Sequence, residues 1–129
     1  MHDRTFYRCA RCGNIVGIIQ DGGGALVCCG EPMQLLVANT SDGAQEKHVP
    51  VPDLRDGHFL TVRVGSAAHP MTEEHYIQWI MVCGNGHTQR VELQPGCKPE
   101  ADFYVFDGAD TDVYAYCNLH GLWHARIQA

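Results

Sequence analysis

Cysteine and histidine are the residues of this chain best suited to chemistry, and both are unusually frequent. The 129-residue sequence contains seven cysteines and eight histidines. Its polar N-terminus leads into no apolar signal segment, which predicts a reducing, cytoplasmic location. Cysteines in such a compartment more often bind metals than form disulfides, and their odd number indicates the same. The composition therefore predicts metal sites.

Four of the cysteines lie near the N-terminus, as Cys9-x-x-Cys12 and the adjacent pair Cys28-Cys29. Four sulfur ligands around one ion select zinc or iron among the common metals. Adjacent side chains diverge, so binding of one ion by both members of the second pair predicts a distorted tetrahedron. A strained disulfide between neighbours and four unligated thiols are less favoured alternatives. The spacing leaves iron and a purely structural zinc both open.

A second set of candidate ligands is spread over the rest of the chain. Cys117 and His120 are separated by two residues, a spacing that lets one loop bind one ion. Three earlier histidines add little by spacing alone. His48 lies in a loop that two prolines stiffen, His69 lies in a turn, and His75 lies at the predicted start of a strand.

The pattern of apolar residues and turns predicts two pieces, residues 1–37 and 38–129, divided by a small, polar stretch near residues 37–43. The first piece, about 36 residues long, is shorter than the roughly 40 for which a hydrophobic core alone usually suffices, so it needs a metal staple. The second is predicted to be all-β, a sandwich or barrel without long helices. Its predicted strands are residues 58–64, 75–82, 89–93, 101–106, 113–117 and 122–127, and Asn85-Gly86 is a predicted hairpin turn.

Charge and hydropathy exclude two classes of partner. Nine basic and fifteen acidic residues give a net charge of −6, which argues against nucleic-acid binding through phosphates. No apolar stretch approaches the roughly 20 residues of a membrane-spanning helix. Hydrophobic residues make up 45% of the chain, enough to bury a core.

Two groups of motifs resemble a known family. Residues 6–16 and 27–33, which hold the four N-terminal cysteines, are similar to the desulforedoxin-type iron module at the front of desulfoferrodoxin, the two-iron form of superoxide reductase. Further along, Lys47-His48, His69-Pro70, His75 and Cys117-Asn118-x-His120 occur in the order found in the catalytic domain of superoxide reductase. The resemblance covers nearly the whole chain, from Phe6 to Trp123.

The resemblance implies a fold and a set of metal ligands. It implies a small desulforedoxin-like module over residues 1–37, followed by a seven-stranded immunoglobulin-like β-sandwich over residues 38–129. It also implies two mononuclear iron sites, with zinc possible at the first. The first would be held by Cys9, Cys12, Cys28 and Cys29. The second would be held by His48, His69, His75 and His120 in one plane and Cys117 on the axis, with the opposite position open.

The same resemblance implies an activity: one-electron reduction of superoxide to hydrogen peroxide, in a detoxifying role. Lys47 would attract the anion, and Glu46 would help to displace the product. Rubredoxin is the expected electron donor and a homodimer the expected assembly. A rubredoxin-like electron carrier and a zinc-stapled β interaction module are the alternatives. We expect Cys83 and Cys97 to be packed or incidental thiols.

Overall fold

The computed structural model describes residues 5–41, 43–106 and 110–128. The chain divides into two compact units, Met1–Val37 and Ala38–Ala129. Strands dominate both, and the only helix in the described ranges is one turn, Gln45–His48 (α1). The prediction of an all-β protein is confirmed. None of the helical structure in those ranges is long and apolar enough to cross a bilayer.

The described part of the first unit contains five very short strands. Three form an antiparallel sheet of order β2-β1-β5, and the other two form a hairpin. The strands are β1 Phe6–Arg8, β2 Ile15–Gly17, β3 Val27–Cys28, β4 Glu31–Pro32 and β5 Gln34–Leu35. Among the described residues of this unit, Phe6 and Cys9 are the only buried hydrophobic ones. Such a core is too small to hold a module of this size without an additional crosslink.

The second unit is a sandwich of two antiparallel sheets. One has the order β10-β7-β6 and the other β12-β11-β8-β9. Its strands are β6 Pro50–Arg55, β7 Phe59–Val64, β8 Ile77–Gly84, β9 His87–Glu92, β10 Glu100–Tyr104, β11 Thr111–Cys117 and β12 Gly121–Ile127. Three strands facing four with this connectivity is an immunoglobulin-like arrangement, so the seven-stranded prediction is confirmed.

The sandwich core follows from the two-residue period of its strands. Leu60, Val62 and Val64 alternate along β7 and are fully buried. They form one apolar cluster with residues of β8 and β11 such as Ile80 and Val113. This cluster fixes the two sheets against each other and therefore fixes the strand ends that carry the candidate ligands.

Two local predictions were wrong. The proline-stiffened loop is instead one helical turn followed by a strand that contains Pro50 and Pro52. Proline is tolerated there because β6 is an edge strand, where a missing N–H breaks no ladder. His75 does not begin a strand, since β8 begins at Ile77.

The outer edge of β12 is covered by a side chain rather than by another strand. Asn39 donates its backbone N–H to Leu122 O at 3.0 Å and its Nδ2 to His124 O at 3.1 Å. Its Oδ1 accepts the N–H of His124 at 2.9 Å. Asn39 has φ +62°, a left-handed conformation that asparagine tolerates better than most residues. One residue therefore satisfies three backbone groups of an edge strand.

Candidate metal centres

The four N-terminal cysteines converge on one point. Their Sγ atoms all lie within 4.8 Å of one another. Cys12 and Cys28 Sγ are 3.6 Å apart, and Cys28 and Cys29 Sγ are 3.9 Å apart. With metal–sulfur bonds of about 2.3 Å, the edges of a tetrahedron are about 3.8 Å long. A disulfide requires about 2.05 Å, so these are free thiols spaced as ligands of one ion.

The backbone at Cys29 explains how two neighbouring cysteines can face one point. Cys29 and Gly30 form the two-residue loop of the β3–β4 hairpin, with φ +53° and +76°. Two left-handed residues in such a loop are typical of a type I′ turn. In an extended strand, Cys28 and Cys29 would point to opposite faces. The sequence alone predicts that the two side chains diverge. The left-handed turn at Cys29 removes that divergence.

Hydrogen bonds within the cluster give its thiols different pKa values. The backbone N–H of Cys12 donates to Cys9 Sγ at 3.5 Å. This bond is the main reason that the pKa of Cys9 is lowered to about 6. The pKa of Cys29 is raised to about 12, mainly by its hydrogen bond with the Cys12 side chain. One sulfur is therefore largely a thiolate at neutral pH and attractive to a cation.

In the second unit, four imidazoles and one thiol from different segments converge. The ligand atoms of His48, His69, His75 and Cys117 lie within 4.8 Å of one another. His120 joins them, with Nδ1 3.1 Å from His48 Nε2 and 3.8 Å from Cys117 Sγ. The structure thus brings together the five side chains that the family resemblance implies as metal ligands.

A β-bulge positions the thiol. β11 and β8 pair in regular register as far as Tyr116 and Trp79, after which Cys117 pairs with Ile77 and Gln78 is skipped. Cys117 is the last residue of β11 and is fully buried on the core face. Bulges are common beside functional sites because they re-aim side chains. Here the bulge ends the paired strands where the candidate site begins.

The hydrogen bonds of two rings show which nitrogens face the centre. Nδ1 of His48 donates to Ala44 O at 2.6 Å, and Nδ1 of His69 donates to Pro70 O at 2.7 Å. A carbonyl only accepts, so in the neutral rings Nε2 carries the lone pair. The two Nε2 atoms are 3.1 Å apart. Two lone pairs at this distance repel, and a cation bound by both would relieve the repulsion.

The remaining atoms of the cluster point to a metal as well. His75 Nε2 is buried without a hydrogen-bond partner among the residues that the structure describes. A buried unpaired nitrogen costs free energy unless something binds it. Imidazole nitrogens combined with one thiolate suit iron, zinc or copper rather than magnesium or calcium. The donor set therefore fits a transition metal.

Burial sets the protonation states at this centre. It is the main reason that the pKa of His48 and His75 is lowered and that the pKa of His69 is lowered to about 4. These three imidazoles are therefore neutral at pH 7 and can bind a metal without losing a proton. Burial raises the pKa of the Cys117 thiol, so metal binding there displaces its proton.

The α1 turn supports His48 and presents two charges at the edge of the cluster. Glu46 and Lys47 are both exposed. Burial and the charge of His120 are the larger causes of the lowered pKa of both His48 and His75, and the charge of Lys47 lowers both further. A hydrogen bond from Ala67 N to Glu46 O, 2.8 Å long, fixes the backbone of α1. A fixed turn thus carries a cation beside the imidazoles.

Three further residues adjoin the cluster. Trp123 is buried and stacks on His48, with ring centroids 4.8 Å apart. Gly43 leaves room for two rings, because a Cβ there would lie 2.9 Å from His48 Cε1 and 3.0 Å from His120 Cβ. Asn118 bonds to the segment around His75. No spacing rule identifies Gly43 or Asn118.

Two cysteines lie outside both clusters. Cys83 is buried and Cys97 is exposed. Neither belongs to the two groups of metal-binding type found within the described ranges.

Comparisons with known proteins agree over nearly the whole chain. The family model described as Desulfoferrodoxin matches residues 40–126, and the one described as Desulfoferrodoxin, N-terminal domain, matches residues 2–36. A desulfoferrodoxin of Syntrophotalea carbinolica is 55% identical over 121 residues, 93% of this chain and 94% of that protein.

Solved structures show the same relationship. The crystal structure of the superoxide reductase from Treponema pallidum has a TM-score of 0.77 and 34% identity, and it covers 96% of this chain and 99% of that one. A superoxide reductase (1Fe-SOR) from Giardia intestinalis has a TM-score of 0.57 and 35% identity, and covers 65% of this chain and 99% of that one. By sequence along both of its parts, and by fold, the chain belongs to the desulfoferrodoxin family.

Proposed function

We propose that this protein is a superoxide reductase, which converts superoxide, one electron and two protons to hydrogen peroxide and so detoxifies the radical. The observation that carries the proposal is the convergence of four imidazoles and one buried thiol in the second unit. The superoxide reductase from Giardia intestinalis supports it, with 35% identity over the 65% of this chain that the two structures share.

Iron is the metal that we assign to both centres. The first would be bound by Cys9, Cys12, Cys28 and Cys29, and the second by His48, His69, His75, His120 and Cys117. When bound at the second centre, iron supplies one-electron chemistry by alternating between its ferrous and ferric states. Four neutral imidazoles and one thiolate reduce the charge of a ferrous ion to about +1, so the centre still attracts an anion. The Cys117 thiolate donates electron density toward the metal.

Lys47 and Glu46 are the residues that we assign to the substrate side. The protein carries a net charge of −6, which repels superoxide at long range. An exposed ammonium group beside the imidazoles reverses the field locally. At about 4 Å its attraction for a unit anion is about 1 kcal/mol in water and about 4 kcal/mol near a protein surface. We assign Glu46, the neighbouring exposed carboxylate, to displacement of the product, and water near Lys47 to proton delivery.

The electron source and the assembly are part of the proposal. Rubredoxin is the proposed donor, the cytoplasm the proposed location, and the four-cysteine centre either relays electrons or holds its module together. A homodimer is supported by apolar side chains that the small first unit leaves exposed. These are Ile19 at 93%, Val27 at 63%, Leu35 at 54% and Val37 at 58% exposure.

Iron content, the optical spectrum and the peroxide yield test the proposed function together. The iron-loaded protein should contain two iron ions per chain and show thiolate-to-iron charge-transfer bands from both centres. With excess reductant it should form one hydrogen peroxide for each superoxide consumed. A His48→Ala variant should keep the first centre and lose the reduction. One peroxide for every two superoxide ions would indicate dismutation, and a colourless zinc protein would contradict the proposal.

A further inference from the structure

Asn118 ties two segments of the candidate site together. It lies in the loop that follows β11, and its Oδ1 accepts the backbone N–H of Tyr76 at 2.9 Å. Its Nδ2 donates to Glu74 O at 2.9 Å, and its backbone N–H donates to Tyr76 O at 3.2 Å. These three bonds hold the residues on both sides of His75.

His75 depends on its backbone for orientation more than its neighbours do. The rings of His48 and His69 are each fixed by an Nδ1 hydrogen bond to a carbonyl. Within the described part of the chain, the ring of His75 makes no such bond, and its Nε2 is buried without a partner. The direction of this imidazole must therefore come from the segment that carries it.

That segment is a small turn at the surface. His75 N donates to Thr72 Oγ1 at 3.1 Å, and Thr72 N donates to His75 O at 3.0 Å. These bonds close the turn on itself but do not connect it to the sandwich. The pairing of β8 with β11 ends at Ile77 and Cys117, just beyond the bulge. Asn118 continues it by one step to Tyr76, with its side-chain oxygen in place of a backbone carbonyl.

We infer that Asn118 is a positioning residue, which fixes His75 against the strand end that carries Cys117. The inference rests on the proposed function, because it assumes that both side chains bind the same metal. Residues that orient metal ligands commonly contribute 10–100-fold to metal affinity. Loss of the two side-chain bonds in Asn118→Ala should free the His75 turn and weaken binding by a factor in this range.

Cobalt(II) is a suitable probe, because its visible spectrum reports the number and kind of ligands. The full-length apo-protein would be titrated with Co²⁺ in competition with a chelator. All variants carry the same four-cysteine centre, so spectral differences report on the second centre. Asn118→Ala should bind Co²⁺ there about 10–100-fold more weakly, with a spectrum that approaches that of His75→Ala. Asn118→Asp, which keeps the acceptor for Tyr76 but loses the donor to Glu74, should lie between Asn118→Ala and the wild type.

Two comparisons separate positioning from general stability. Asn39→Ala is a matched control, because Asn39 also makes two side-chain bonds to backbone, both with His124. It should lower thermal stability at least as much but leave the cobalt affinity and spectrum unchanged. In a His75→Ala background, Asn118→Ala should have little further effect on affinity, since the residue it positions is gone.

The outcomes distinguish the inference from the function on which it rests. Wild-type affinity and spectrum in Asn118→Ala, or a full additional loss in the His75→Ala background, would overturn the inference alone. Failure of the wild-type second centre to bind any metal would overturn the proposed function and the inference with it.

Discussion

The hairpin that carries Cys117 and His120 is anchored by a buried ion pair whose removal should destabilise the sandwich. Asp112 is 1% exposed and lies directly opposite Arg126 in the β11–β12 ladder. Its carboxylate accepts Arg126 Nε at 2.8 Å, Arg126 Nη2 at 3.2 Å and His124 Nε2 at 2.8 Å. Asp112→Asn keeps the shape of the side chain. It replaces one acceptor oxygen with an amide NH2 group, which must then face a donor.

The size of the effect follows from this geometry. Removing one partner of a buried charge pair typically costs 3–5 kcal/mol, because the other charge is left without compensation. The side chains of Arg126 and His124 are 29% and 23% exposed, so water recovers part of that cost. We therefore expect Asp112→Asn to lower the free energy of unfolding by about 2–3 kcal/mol. For a domain of this size this corresponds to about 10 °C in Tm.

Urea unfolding at pH 7, followed by tryptophan fluorescence at equal metal content, measures this difference. Asp53→Asn is the matched control, since Asp53 also faces an arginine on a strand. That pair, with Arg55, is 3.6 Å apart and about half exposed, so its loss should cost less than about 0.5 kcal/mol. The reasoning is refuted if Asp112→Asn costs no more than Asp53→Asn.

The same carboxylate gives the effect a pH dependence. Burial alone would raise the pKa of Asp112, but the hydrogen bonds from Arg126 and His124 outweigh it and lower the pKa from 3.8. A depressed folded-state pKa means that the stabilisation is fully present above pH 3.8 and is lost as the pH falls through the lower, folded-state value. The stability difference between the wild type and Asp112→Asn should therefore shrink below pH 3.8.

Three further perturbations address the two centres. Lys47→Ala should slow superoxide consumption roughly tenfold in pulse radiolysis at low salt and weaken its salt dependence. Substitution of the chain's other lysine, Lys98, should have little effect. Equal rates for both variants would contradict the role of Lys47 in attracting superoxide. Cys29→Ser should reduce the metal content by one ion per chain and make the first unit sensitive to proteases, while the spectrum of the second centre persists; unchanged metal content would contradict the assignment. Gly43→Ala should weaken metal binding at the second centre roughly tenfold, because the new methyl group presses on two imidazoles. Gly22→Ala is the control, since nothing lies within 4 Å of that position, and equal affinities would count against the packing argument.

Local chemistry made much of the fold predictable. Asn85-Gly86 predicts a hairpin, and it forms the two-residue loop between β8 and β9, with φ +50° and +77°. The alternation along residues 61–64 predicts a half-buried strand, and β7 there buries Val62 and Val64 and exposes Arg63. These features depend on neighbours in sequence, so a sequence pattern records them.

Features that depend on distant neighbours could not be predicted in this way. The prolines of β6 argue against a strand until its position at the sheet edge is known. Cysteine at a left-handed position has no propensity signal, so the convergence of Cys28 and Cys29 was not foreseeable from local rules. The meeting of His48 with His120 leaves no trace in spacing, and only the order of motifs in the family resemblance suggested it.

The contacts of Asn39 bear on how this protein avoids association with other chains. An unpaired strand edge is a template on which a second polypeptide can extend the sheet, and such growth leads to fibres. At β12 the carbonyls of Leu122 and His124 and the N–H of His124 are already occupied from within the chain. A foreign strand would have to displace Asn39 before it could dock beside the hairpin that presents Cys117 and His120.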